Sequence, residues 1–158
     1  MTGPRRDVTV TLEAWLVAGT MDITAALTWY PLTAGAHGVR ILQGIASGVL
    51  GPRAFDGGLR TAALGLALHY FIALIWTLLF VLAARSVRGL LKNLWVTGIA
   101  YGLVVWTVMN LVVLPLSRVR RGPFHPGPAV IAAVILILCI GLPIAGIVGR
   151  HERARETP

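Results

Sequence analysis

Four long apolar runs dominate this chain, and they leave it few ways to fold. Crossing about 30 Å of hydrocarbon takes about 20 mainly apolar residues. Runs of that length, bounded by Arg, Pro or Gly, extend from about Val8 to Tyr30, Thr61 to Ala84, Leu94 to Leu116 and Ala129 to Val148. An open strand in lipid would leave its edge amides unpaired, so each run must be a helix. The expected fold is therefore all-α, an integral membrane four-helix bundle. Only 13% of the residues are charged and 56% are apolar, a balance foreign to soluble domains. With 158 residues there is room for a single membrane domain.

The first run has the outline of a secretion signal, since Arg5 and Arg6 precede it and Ala34-Gly35-Ala36 imitates a cleavage site. Its length, and the presence of Glu13 and Asp22, make it a span instead. The second and third runs are joined by a tight hairpin, Arg85 to Asn93. The first connection is far longer, and it is patterned. Leu42, Ile45, Ala46 and Val49 recur at helical spacing, with Arg40, Gln43 and Ser47 between them and Gly51-Pro52 closing the pattern. This predicts a short amphipathic helix over Gly38 to Leu50, apolar side down, at the interface or packed on the bundle. Asp56-Gly57-Gly58 then supplies a turn and a cap for the second span.

The formal charge is +8. The basic residues fall in short clusters between apolar stretches and not along one face, so their expected partners are the bilayer and its anionic headgroups, not nucleic acid. Eight lie at the N-terminus (Arg5, Arg6), the hairpin (Arg85, Arg88, Lys92) and the tail (Arg150, Arg153, Arg155). Six lie in the other loops: Arg40, Arg53, Arg60, Arg118, Arg120 and Arg121. That excess points to cytoplasmic N- and C-termini. A preference for Arg over Lys, with abundant Ala and Gly, suits a GC-rich bacterium and hence an inner membrane.

Ionisable groups within a bilayer cost about 2.5–3.5 kcal/mol each on insertion scales, so those that persist are candidates for function. Asp22 stands about eight residues from the outer end of the first span, and His69 about eight from the outer start of the second, which puts both roughly 12 Å below one surface. Asp22 continues a stripe of Ala14, Ala18, Ala25 and Ala26, and His69 a stripe of Ala62, Gly65 and Ala73. Small stripes are where membrane helices approach. An Asp22–His69 contact is expected, with Asn110 of the third span at similar depth as a third member. Such a group serves either as a clamp between helices or as a proton relay. Glu13, nine residues before Asp22, falls on the opposite face of the first span with Thr9, Thr20 and Thr24. That polar stripe faces a partner subunit, in a homo-oligomer, or a watery path, or else Glu13 reaches the headgroups and pairs with Arg5 or Arg6.

Other signals concern packing. Gly98 and Gly102 form a GxxxG, Gly141 and Ala145 repeat the spacing, and Pro143 predicts a kink or a frayed last turn. Cys139, the single cysteine, reads as a small packing residue. His37 and His125 fall in the two outer loops without a cysteine or carboxylate at ligand spacing, so no metal site is expected. No nucleophile elbow, phosphate-binding glycine loop, zinc-protease or paired-cysteine motif occurs, and neither enzyme chemistry nor a cofactor is expected.

The stretch RILQGIASGVLGPRAFDGGLRTAALGLALHYFIA, from Arg40 to Ala73, together with YGLVVWTVMNLVVLPLS, from Tyr101 to Ser117, resembles a family of small, uncharacterised four-span bacterial inner-membrane proteins. The resemblance covers most of the chain and implies that His69 and Asn110 are motif positions; it brings no activity. A weaker likeness is to small multidrug resistance transporters, which have four short helices and an essential Glu in the first. Glu13 matches that pattern, whereas Asp22 and the long first loop depart from it. The sequence thus supports a non-enzymatic structural or accessory membrane protein, with a proton-coupled transporter or channel using Asp22, His69 and Glu13 as the alternative.

Overall fold

The computed structural model describes residues 4–35, 37–87, 89–120, 122 and 125–156. Ala36, Arg88 and Arg121 lie outside the described residues, as do the side chains of Arg5, Ala34 and Arg155. Of the described residues 90% are helical, and none forms a strand. Four helices are long and apolar enough to cross a membrane. They are α1 (Pro4–Ala34), α3 (Gly58–Ser86), α4 (Leu94–Leu116) and α5, which runs through Pro126–Leu136, Ile137–Gly141 and Leu142–Glu156. Between the first two comes α2 (Gly38–Leu50), followed by a 3-10 segment, Gly51–Asp56.

The limits of α2 and α4 are those expected. Helices α1, α3 and α5 overrun the expected runs at both ends, because apolarity marks the lipid-embedded length while the backbone ladder continues into the polar zone. Pro143 does not end α5. Its ring would collide with the carbonyl of Cys139, four residues earlier, and the ladder widens there into a π turn, Ile137–Gly141, closed by Leu142 N–H donating to Ile137 O. Pro115 does the same to α4. A π turn over Met109–Val113 ends two residues before it, with Leu114 N–H donating to Met109 O. The expected cap also differs: Gly57 stands at the N-cap of α3, and no side chain caps it.

The GxxxG of α4 meets the small residues of α5 directly. A Cβ added to Gly141 would lie 2.1 Å from Gly98 O, so only glycine permits this backbone approach. Ala14 and Ala18 of α1, Phe80 of α3, Val105 of α4, and Ile144, Ala145 and Val148 of α5 form the common core. At the end of the bundle that carries both termini, Asp7 accepts from Arg85 at 3.0 Å. Arg85 also lies 3.6 Å from Glu152, and His151 lies 3.5 Å from Asp7. The described ends of α1 and α5 therefore share one side.

Helix α2 packs against α3, and its seat differs from the expected one. Gln43, Ala46 and Ser47 are buried, Leu42 and Ile45 half-buried, and Val39, Val49 and Leu50 exposed. The buried polar groups are satisfied. Gln43 Nε2 donates to Gly58 O at 3.1 Å and Thr61 Oγ1 at 3.3 Å, and Ser47 Oγ donates to Gly44 O at 2.6 Å. With these anchors inward, part of the apolar face turns out toward lipid. Gly65 makes the seat possible, since a Cβ there would stand 1.9 Å from Leu42 O. It was expected in the stripe facing α1; it serves α2. The far end of α2 is held by Arg118 N–H, which donates to Gly48 O at 2.9 Å.

Candidate functional site

Asp22 lies fifteen residues beyond Asp7 on α1, roughly 22 Å along the axis from the ionic cluster at the termini. Across from it, His69 of α3 places Nδ1 3.9 Å from Asp22 Oδ2. The expected contact is present, at ion-pair range and about 1 Å longer than a direct hydrogen bond. The other ring nitrogen is engaged: His69 Nε2 lies 2.8 Å from Gly19 O. A carbonyl only accepts, so Nε2 carries a hydrogen and donates.

That bond fixes what the pair can hold. With Nε2 protonated, a neutral imidazole turns its Nδ1 lone pair toward the carboxylate, and neither atom then has a hydrogen to share. One further proton, on Nδ1 or on Asp22, turns the encounter into an attraction and makes the pair neutral overall. Without it, a net negative charge is left inside the hydrocarbon. The arrangement therefore suits one exchangeable proton.

The helices are fastened by other groups. Trp15 Nε1 donates to Tyr70 O at 2.7 Å, and Thr20 Oγ1 lies 2.9 Å from Tyr70 Oη, in addition to the His69–Gly19 bond. Asp22 makes no hydrogen bond to any described residue; its neighbour is His69. Its side chain is 21% exposed, on the wall of a cavity of about 210 Å³ to which all four spans and α2 contribute. Met109 and Ile140, from the two π turns, line the same cavity, in keeping with the occurrence of such turns beside functional sites. A second cavity of about 540 Å³ adjoins it, sharing Ala26, Ile45, Ile72 and Met109 as walls. This vestibule lies under α2 and extends to Arg40, Tyr30 and Phe55, away from the termini.

Asn110 does not join the pair. Its Nδ2 donates to Trp106 O at 2.9 Å, back along its own helix, and it lines neither cavity. The π turn that begins at Met109 shifts the register on which its expected position rested. Glu13 is also apart. It is exposed on α1, as are Thr9, Thr20 and Thr24, of which Thr20 reaches Tyr70 of α3, and it pairs with no described residue, Arg6 included. Sequence reasoning missed the lining role of Met109 and Trp76, apolar residues with no chemical signature, and the two π turns, which Pro115 and Pro143 do signal. No known protein family matches the chain, and neither the curated proteins nor the solved structures contain a match.

Proposed function

We propose that this membrane protein is a small proton-linked carrier or channel in which Asp22 and His69 jointly bind and release one proton. One observation carries the reading: the two groups lie 3.9 Å apart on the wall of a cavity that continues into a vestibule at the bundle end. A purely structural role would use Asp22 as a clamp. An acid in hydrocarbon with no hydrogen bond of its own is poorly suited to that, and three other bonds already join α1 to α3. We further read the chain as one of the bacterial inner-membrane four-span proteins, with both termini cytoplasmic and the vestibule facing outward.

The test is proton flux into liposomes containing the purified chain and a trapped pH dye, under an imposed pH gradient and potential. Wild-type protein and Glu13→Gln should conduct, whereas Asp22→Asn and His69→Gln should be silent while retaining full helicity. Wild-type vesicles no more permeable than empty ones, or an active Asp22→Asn protein, would overturn the reading.

A further inference from the structure

The vestibule has a second property that the proton pair does not use. Its walls are apolar, contributed by residues such as Ile41, Ile45, Ile72 and Val113, yet its rim is basic. Arg40 lies on the rim with its guanidinium 5.3 Å from the centre of the Phe55 ring. On the other side of Phe55, Arg118 and Arg120 line a smaller adjoining hollow. The wider surroundings have the same sign. Among described residues at this end, Arg40, Arg53, Arg60, Arg118 and Arg120 face only Asp56 as an outlying acid. The opposite end carries as many described cations, Arg6, Arg85, Lys92, Arg150 and Arg153, but there Arg85 is paired with Asp7 and Glu152.

An apolar groove with Arg40 at its rim, and Arg118 and Arg120 lining the hollow beside it, is complementary to one kind of molecule, an acyl chain attached to a phosphate. We propose that the vestibule binds a single anionic glycerophospholipid, with one acyl chain in the groove beneath α2 and the headgroup phosphate among Arg40, Arg118 and Arg120. Guanidinium forks match phosphate oxygens, and a volume of about 540 Å³ falls within the range of ligand sites. Gly44 contributes to the fit. It lines both hollows, and a Cβ there would meet nothing within 4 Å, so its missing side chain is space left to the groove. The proposal rests on the vestibule alone and stands or falls separately from proton binding.

Native mass spectrometry of the full chain, released from detergent with added phosphatidylglycerol or phosphatidylcholine, tests it. Wild-type protein should retain one phosphatidylglycerol in preference to phosphatidylcholine. Juxtamembrane arginines contribute about 1 kcal/mol each toward anionic lipid, so Arg40→Gln and Arg118→Gln should each lower the preference by up to about fivefold. Gly44→Leu fills the groove without touching the rim and should reduce retention of both lipids while circular dichroism stays unchanged. Equal retention of the two lipids would overturn the proposal. So would full retention by Gly44→Leu, or a lipid-free two-chain species showing that a second copy covers the groove.

Discussion

The seat of α2 on α3 depends on one missing methyl group, which makes Gly65→Ala a sharp test of the architecture around the vestibule. The added Cβ would lie 1.9 Å from Leu42 O and 2.7 Å from Leu42 C. That is roughly 1.5 Å closer than ordinary contact allows, and the obstacle is backbone, which has no rotamer to change. Overpacking of this kind costs about 1–3 kcal/mol. Alanine is favoured over glycine inside a helix by about 1 kcal/mol, so the clash is read against a background gain. Gly44→Ala provides that background: it lies on α2 itself, in open space, and should stabilise the protein by about 0.5–1 kcal/mol. Reversible unfolding in mixed micelles, followed by circular dichroism, gives both numbers. Gly65→Ala should be less stable than wild type, and its α2 should be more open to labelling at a cysteine placed at position 46, which is buried in the native seat. If Gly65→Ala were as stable as Gly44→Ala, α2 would not rest on α3 as described.

Four further outcomes follow from the same structure. Glu13→Leu should leave proton flux intact and raise stability by about 1 kcal/mol, because an exposed carboxylate with no partner among the described residues is replaced by a lipid-compatible group near the membrane edge; loss of assembly would show instead that its stripe contacts a second subunit. Trp106→Phe should change stability by less than about 1 kcal/mol, since the buried indole N–H it removes has no hydrogen-bond partner among the described residues; a loss above about 3 kcal/mol in the micelle assay would contradict that. Gly141→Ala, with its new Cβ 2.1 Å from Gly98 O, should separate α4 from α5 and destabilise by at least about 2 kcal/mol in the same titration. Asp22→Leu should be more stable than wild type by about 2 kcal/mol and silent in flux, whereas a destabilised Asp22→Leu protein would restore the clamp reading.

Much of this was legible because hydrocarbon is a demanding solvent. The limits of α2 and α4, the GxxxG contact and the meeting of Asp22 with His69 all follow from length, helical spacing and the scarcity of charge in a span. What escaped depends on information the periodicity lacks. The face that α2 presents to α3 is set by the two hydrogen bonds from Gln43 to Gly58 and Thr61, with the Ser47 hydroxyl satisfied inside α2, and these outweigh the hydrophobic pattern that places Val49 inward. Asn110 was placed by counting 1.5 Å per residue along a regular helix. The π turn one residue before it changes that count, and the cause, Pro115, lay five residues ahead. Glu13 stands apart from Asp22 as nine residues of rotation require, and it has no partner among the described residues.

The same departures from regularity explain why a cavity exists where the two ionisable groups meet. Close packing of four spans around small residues would fill the bundle, as it does where α4 crosses α5 at Gly98 and Gly141. Toward the vestibule, each of the two prolines widens its helix by a π turn, and Met109 and Ile140 of these turns line the cavity while also packing in the core. A void lined only by aliphatic groups would stay dry. This one has Asp22 and His69 on its wall, so water there has polar partners. Hydration lowers the cost of the unprotonated carboxylate, while the apolar walls keep that cost from vanishing. A site balanced in this way gains and loses a proton without unfolding the bundle, because Trp15, Thr20 and Tyr70 hold α1 to α3 in either state.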